Sequence, residues 1–155
     1  MNIEIERKFL IQKIPKNLDS KFHIKQFYIH VDDKFVQRLR FFDNKKAIMS
    51  LKQNCAGLSR YEFEYEIPLE DAKKIVSITD SIFIEKIRHI VYYESMKWEI
   101  DEFLGNNKGL LIAEVELEDE KQKIKLPDWI VQEVTNQNKY FNYNLALRPY
   151  ISWKD

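Results

Sequence analysis

The chain has 155 residues, of which 45% are hydrophobic and 32% charged, and its 25 basic side chains balance 25 acidic ones. This length and composition indicate one globular domain, residues 1–155, with its own core. The balanced charge argues against nucleic acid as a partner. The chain lacks a long apolar run and a basic-then-apolar leader, so we expect neither a membrane span nor secretion but a cytoplasmic protein. The single cysteine, Cys55, excludes an internal disulfide.

The first predicted strand, residues 1–11, has one apolar face and one charged face. Successive side chains of a strand point to opposite sides, so Glu4, Glu6 and Lys8 share a face. Such a face is compatible with two structures, a solvated outer surface or the wall of a charged cavity. The later strands bear on the choice between them.

The same alternation continues along the chain in hairpin order. Further strands are predicted at residues 21–31, 35–42, 47–53, 60–67, 81–93, 97–103 and 110–117. Strands that follow one another through short turns pair antiparallel. The sequence therefore predicts a mainly β fold of the α+β class with about eight antiparallel strands.

Two or three helices complete the prediction. Pro68 opens a helix over residues 69–77, because proline is tolerated in a first turn and Glu70 and Asp71 suit the positive end of the helix dipole. Near the C-terminus, the apolar groups around Val131, Val134 and Leu145 to Leu147 have helix-like spacing.

Like charges recur two residues apart within single strands, which places both members of each pair on one face. The acidic pairs are Glu4 with Glu6, Glu62 with Glu64, Glu99 with Asp101, and Glu114 with Glu116; the basic pairs are Arg38 with Arg40 and Lys86 with Arg88. A surface that served only solubility would mix the signs. Paired carboxylates suit hard divalent cations such as Mg²⁺ or Mn²⁺, and paired basic groups suit phosphates. One cavity with both sets would accept a metal-bound polyphosphate.

A closed barrel would give these charges an interior to line. Closing an antiparallel sheet of about eight strands removes its edges and leaves an inner face of alternate residues. The apolar faces would then point outward and need a cover. Helices could provide that cover, and so could a second subunit, so a homodimer is compatible with the sequence.

The ordered charged motifs resemble those of the CYTH superfamily, the triphosphate tunnel metalloenzymes. The opening IEIERKFL is similar to that family's ExExK signature, and the C-terminal KYFNYNLA is similar to its last segment. Between them, in the family's order, stand the RxR pair at Arg38 and Arg40, Lys52, the RxExE strand with Arg60, Glu62 and Glu64, the KxR pair at Lys86 and Arg88, Trp98 with Glu99 and Asp101, and the ExE pair at Glu114 and Glu116.

This resemblance implies an eight-stranded tunnel and a role for each matching residue. Phosphate would be bound by Lys8, Arg38, Arg40, Lys52, Lys86 and Arg88, and also by Arg60 unless that residue pairs with a neighbouring glutamate. The principal Mg²⁺ or Mn²⁺ would be held by Glu4, Glu6, Glu114 and Glu116. A second metal, or the attacking water, would be supported by Glu62, Glu64, Glu99 and Asp101, and Lys86 would also take part in catalysis.

The function that the resemblance implies is hydrolysis of inorganic triphosphate. Two enzyme alternatives use the same tunnel: an adenylate cyclase, and a hydrolase of nucleoside or thiamine triphosphate. A polyphosphate-binding module without turnover is a third alternative, against which the many carboxylates argue. Tyr28 is compatible with either packing or a site role, and Lys139 with Tyr140 could close one end of the tunnel.

Overall fold

The computed structural model describes residues 2–153 and shows a closed antiparallel barrel of eight strands. The strands are β1 (Ile3–Ile11), β2 (Ser20–Val31), β3 (Phe35–Phe42), β4 (Lys46–Gln53), β5 (Ser59–Ile67), β6 (Phe83–Tyr93), β7 (Met96–Phe103) and β8 (Leu111–Glu116). Around the barrel their order is β5, β4, β3, β2, β6, β7, β8 and β1, and β1 pairs again with β5. The predicted fold is confirmed, and each predicted strand lies within two residues of its observed bounds.

Strand β1 closes the barrel because two different strands share one of its edges. Its beginning pairs with β5, where Ile3 lies opposite Tyr61. Its end pairs with an additional short strand, β9 (Ile130–Glu133), where Phe9 lies opposite Glu133. Its other edge pairs with β8 from Glu6 to Leu10. This arrangement ties the C-terminal part of the chain directly to the strand that carries the first charged motif.

The helix-like interpretation around Val131 is wrong, because that residue lies in β9. A strand of four residues is too short to show a clear period of two. Its apolar residues therefore fall into one helix-like spacing with those of the separate helix farther along the chain. That helix, α2 (Asn142–Leu147), is short, whereas α1 (Leu69–Thr79) follows Pro68 as predicted. Short 3₁₀ turns occur at Gly105–Asn107, Asn138–Tyr140 and Tyr150–Ser152.

Two apolar clusters cover parts of the outside of the barrel, and a third lies at one end of its interior. Helix α1 packs Ala72 against a cluster that includes Phe27 and Leu39. A second cluster surrounds Trp98 and Ile100 and is covered by residues from the loops before β2 and after β8.

No helix within residues 2–153 has the length and apolar character needed to cross a membrane.

The third cluster closes part of one end of the barrel from within. Ile84, Phe103 and Ile112 share the inward face of their strands with charged residues, yet all three are buried against Leu145 of α2. The C-terminal segment therefore covers the end of the interior nearest these residues.

Candidate active site

A cavity of about 620 Å³ occupies the barrel interior. All the predicted site residues line it except Asp101: Glu4, Glu6, Lys8, Arg38, Arg40, Lys52, Arg60, Glu62, Glu64, Lys86, Arg88, Glu99, Glu114 and Glu116. They converge because inward positions alternate along every strand. Of the two structures that the charged faces allowed, the cavity wall is the one observed.

The two signs of charge occupy different sides of the cavity. The lining carboxylates all come from β7, β8, β1 and β5, which are neighbours around the barrel. We call Glu4, Glu6, Glu99, Glu114 and Glu116 the acidic wall. Most lining cations come from β4, β3 and β6, and we call Arg38, Arg40, Lys52, Lys86 and Arg88 the basic wall.

The acidic wall brings like charges face to face across neighbouring strands. Glu6 lies directly opposite Glu116, and Glu99 lies opposite Glu114. Like charges in that arrangement destabilise a sheet. Burial, together with Glu6, raises the pKa of Glu114, and burial with Glu4 and Glu6 raises the pKa of Glu116. The wall therefore has an excess of negative charge that a bound cation would relieve.

The donor chemistry of this wall fits a hard divalent cation, since it offers only carboxylate oxygens. Within residues 2–153, however, no three such groups converge closely enough to hold an ion. Cations of the cavity draw the carboxylates apart: Lys52 Nζ lies 2.6 Å from Glu4 and 3.6 Å from Glu6, and Lys8 Nζ lies 3.9 Å from Glu114. Metal binding at this wall would require these side chains to exchange partners.

Two arginines of the basic wall, Arg38 and Arg40, are held in place by the β5 glutamates. Arg38 donates to Ser50 Oγ at 2.9 Å and to Glu62 at 2.8 Å, and Arg40 donates to Glu64 at 2.8 Å. Burial, reinforced by Arg38, lowers the pKa of Arg40 to about 10. Glu62 and Glu64 thus orient two guanidinium groups, a role that the sequence did not predict.

Asp101 does not line the cavity, although it stands on the inward face of β7, and its predicted role beside a metal or the attacking water stays a prediction. Its carboxylate is fully buried and accepts hydrogen bonds from Lys86 Nζ at 2.7 Å and from Arg88 Nε and Nη2 at 2.8 and 2.9 Å. Burial opposes its ionisation, but Arg88 and Lys86 outweigh burial and lower its pKa. Asp101 is therefore the counter-charge that fixes the two cations.

Lys86 and Arg60 differ in whether a carboxylate partner lies beside them. Burial lowers the pKa of Lys86 to about 8, despite its contact with Asp101. Arg60 lies opposite Glu4 across the β1 and β5 pairing, but within residues 2–153 no carboxylate lies within 4.0 Å of its guanidinium. The expected alternative of an Arg60 ion pair is not observed, so this cation remains available to a ligand.

The C-terminal segment adds site residues that the motifs missed. Asn142 Oδ1 accepts a hydrogen bond from Lys86 Nζ at 3.0 Å, and the Phe141 ring lies 5.3 Å from Lys8 Nζ. Tyr143 packs edge-on against Tyr28, with 5.1 Å between the ring centroids. The KYFNYNLA resemblance marked this segment, but no charge pattern singled out these residues.

Lys139 and Tyr140, proposed as closing groups, are not on the lining. Lys139 instead stacks over the rings of Tyr140 and Trp153. Tyr28 does line the cavity, where its hydroxyl accepts a hydrogen bond from Gln26 Nε2 at 2.6 Å. Burial raises the pKa of Tyr28 to about 12, so its hydroxyl is a neutral donor.

A closed barrel with a charged interior is the fold that the resemblance to the CYTH superfamily implies. Comparison with known proteins gives the same family. The chain belongs to the CYTH domain family, which it matches over residues 2–150. It is 42% identical over 157 residues to the inorganic triphosphatase of Acetivibrio thermocellus, with all of both chains covered. It is 34% identical over 151 residues to the inorganic triphosphatase of Nitrosomonas europaea, covering 93% of this chain and 97% of the relative. A crystal structure of an inorganic triphosphatase superposes with a TM-score of 0.68 at 30% identity, covering 93% and 97% of the two chains.

Replacing Asp101 tests its role as the buried counter-charge. Asp101→Asn leaves Lys86 and Arg88 buried without their shared partner, and we expect a loss of about 3–5 kcal/mol in the free energy of unfolding at pH 7. The matched control is Glu99→Gln, because Glu99 is partly exposed and, within residues 2–153, forms an ion pair with Arg88 alone, at 3.1 Å; its expected cost is below about 1 kcal/mol. Urea unfolding without metal or phosphate measures both.

The stability difference between wild type and Asp101→Asn should also depend on pH. Because the folded-state pKa of Asp101 is lowered, its stabilisation is complete above the ordinary aspartate pKa of about 3.9 and disappears as the pH falls further. The difference between wild type and Asp101→Asn should therefore shrink in strong acid. Equal stabilities of the two proteins at pH 7 would contradict the assignment.

Proposed function

We propose that the protein is a divalent-metal-dependent hydrolase of inorganic triphosphate, producing pyrophosphate and phosphate in the cytoplasm. The observation that carries this proposal is the cavity in which a basic wall and an acidic wall face one enclosed space. An anion trap would need only the basic wall. The names of the two relatives, at 42% and 34% identity, favour inorganic triphosphate over a nucleotide or thiamine substrate and over cyclisation.

The basic wall binds the phosphate chain in this proposal. Arg38 and Arg40 each keep guanidinium nitrogens that are not used by their glutamate partners, and guanidinium groups match phosphate oxygens through parallel hydrogen bonds. Lys86 and Arg88 are fixed by Asp101, so they bind without first losing side-chain freedom. Lys8, Lys52 and Arg60 extend the cationic lining, to which Lys97 also belongs.

In this proposal Mg²⁺ or Mn²⁺ is held at the acidic wall by Glu4, Glu6, Glu114 and Glu116, and Glu64 of β5 is available to a second ion. A bound divalent ion would neutralise phosphate charge and polarise the bond to be cleaved. Substrate binding would favour this set of metal ligands. A phosphate chain that binds Lys52 and Lys8 would compete with Glu4, Glu6 and Glu114 for those ammonium groups. The freed carboxylates could then converge.

The reaction needs an in-line water and a fixed phosphate chain. The water oxygen forms a bond to a terminal phosphorus, the bond from that phosphorus to the bridging oxygen breaks, and pyrophosphate leaves. A carboxylate of the acidic wall accepts the proton of the attacking water. Arg38, Arg40, Lys86 and Arg88 stabilise the charge that develops on the phosphate oxygens.

Substrate preference is tested by measuring phosphate release from tripolyphosphate, ATP and thiamine triphosphate. Each is assayed with Mg²⁺, with Mn²⁺ and with chelator, and the ATP reactions are also examined for cyclic AMP. We expect the highest kcat/KM for tripolyphosphate, and loss of release in chelator. Cyclic AMP formation would identify a cyclase, and tight tripolyphosphate binding without turnover would identify a binding module.

The metal role of the acidic wall is tested with Glu116→Gln, which keeps the shape but removes the charge. We expect metal-dependent turnover to fall by more than about 100-fold, since metal ligands contribute at least as much as the groups that orient them. Glu66→Gln is the matched control. Glu66 is also a glutamate on an inward strand face, that of β5, but it is solvent-exposed and lies outside the cavity lining. Wild-type turnover by Glu116→Gln would overturn the assignment of that residue as a ligand.

A further inference from the structure

One outer face of the barrel lacks the cover that the rest of it has. Outward positions of β3, β4 and β5 carry no charged side chain, although 32% of the whole chain is charged. Helix α1 covers the part around Leu39 and Ala47. The uncovered remainder, which we call the tyrosine face, consists of Ile3, Phe35, Leu51, Tyr61, Phe63 and Tyr65.

Four residues of the tyrosine face adjoin one another across the strand ladders. In the strand ladders Ile3 lies opposite Tyr61, and Leu51 lies opposite Phe63. The rings of Tyr61 and Phe63 stack with an interplanar angle of 11°. Tyr61 is 50% exposed and Tyr65 is 64% exposed. Large aromatic side chains therefore stand in solvent next to one another, with no intervening charge.

Other exposed outward positions of the same barrel show what a solvated face looks like in this chain. On β2 the exposed outward residue Lys21 is charged, and the partly exposed outward residues Glu85 on β6 and Glu102 on β7 are charged as well, whereas Phe83 at the start of β6 is exposed and apolar. Charged side chains at exposed strand positions keep sheets apart and soluble. The tyrosine face departs from that pattern, so its composition fits contact with another protein surface.

The size of the face matches what a dimer requires. Taking about 200 Å² for a large side chain, the exposed fractions of its members amount to roughly 500 Å². A standard interface buries about 800 Å² on each partner, and about 65% of a homodimer interface is apolar, which is again roughly 500 Å². The whole chain exposes 9702 Å², whereas a monomer of 18.8 kDa is expected to expose about 8,300 Å². An open cavity and an uncovered interface would both produce such an excess.

We propose that the tyrosine face binds the tyrosine face of a second copy of this chain, forming a two-fold homodimer. A second copy fits better than another partner because the face has no charge with which to select a complementary surface, and two-fold pairing of identical faces is the commonest form of assembly. The closed barrel leaves no free edge on β3, β4 or β5, so the contact is face to face and not strand addition. Both cavities remain on the opposite side of the sheet from the contact.

Sedimentation equilibrium of the full chain tests the proposal. We expect the wild type to have twice the 18.8 kDa monomer mass at micromolar concentration. The double variant Tyr61→Lys, Tyr65→Lys should raise the dimer dissociation constant by on the order of 100-fold, because interface tyrosines carry a large share of binding energy. Val131→Lys, an equally exposed position on β9, is the matched control and should remain dimeric.

Hydrogen exchange of the wild type provides a second test that needs no variant. Amides of residues 59–67 should gain protection as the protein concentration rises through the dimer dissociation constant. A wild-type mass of 18.8 kDa at 100 µM, or exchange that is independent of concentration, would overturn the proposal. Neither measurement depends on catalysis, so a failure of the proposed triphosphatase activity would leave this result unaffected.

Discussion

Burial of charge inside the barrel is the constraint on which the rest of this structure depends. Taking an ion out of water costs several kcal/mol unless a partner compensates, and the pKa of Lys86, lowered to about 8, records that cost. Asp101 compensates Lys86 and Arg88 from behind the wall, while Glu62 and Glu64 compensate Arg38 and Arg40 from the neighbouring strand. The basic wall therefore has compensating partners without a ligand, yet several of its charges still have unused hydrogen-bonding capacity.

A barrel with a charged interior must place its apolar side chains outside, which explains the rest of the architecture. Helix α1 and the loop segments cover outer apolar surfaces, and the C-terminal segment covers the apolar end of the interior. The C-terminal segment does this while contributing Asn142 to the site, because β9 attaches the same segment to β1. Cover and site are thus built from the same residues. The proposed dimer extends the same logic to the one face that the described chain leaves open.

The alternation of strands made the lining predictable from sequence, but not the depth of each residue. Glu99 and Asp101 look equivalent, since they stand two positions apart on one face of β7; only Glu99 reaches the cavity. The difference arises from pairing, which sets Asp101 opposite Arg88 and Ile112. Pairing between distant segments also created β9 and brought Asn142 to Lys86. Such contacts leave no local pattern in the chain, whereas period-two alternation does.

The most direct test of the central claim is a crystal structure of the protein with Mn²⁺ and a non-hydrolysable imido analogue of triphosphate. The proposed function predicts phosphate oxygens bound by Arg38, Arg40 and Lys86, and an anomalous Mn²⁺ peak beside Glu114 and Glu116. It also predicts that Lys52 has moved from Glu4 to the phosphate chain. An analogue bound outside the barrel, with the Lys52 to Glu4 ion pair intact, would contradict the account.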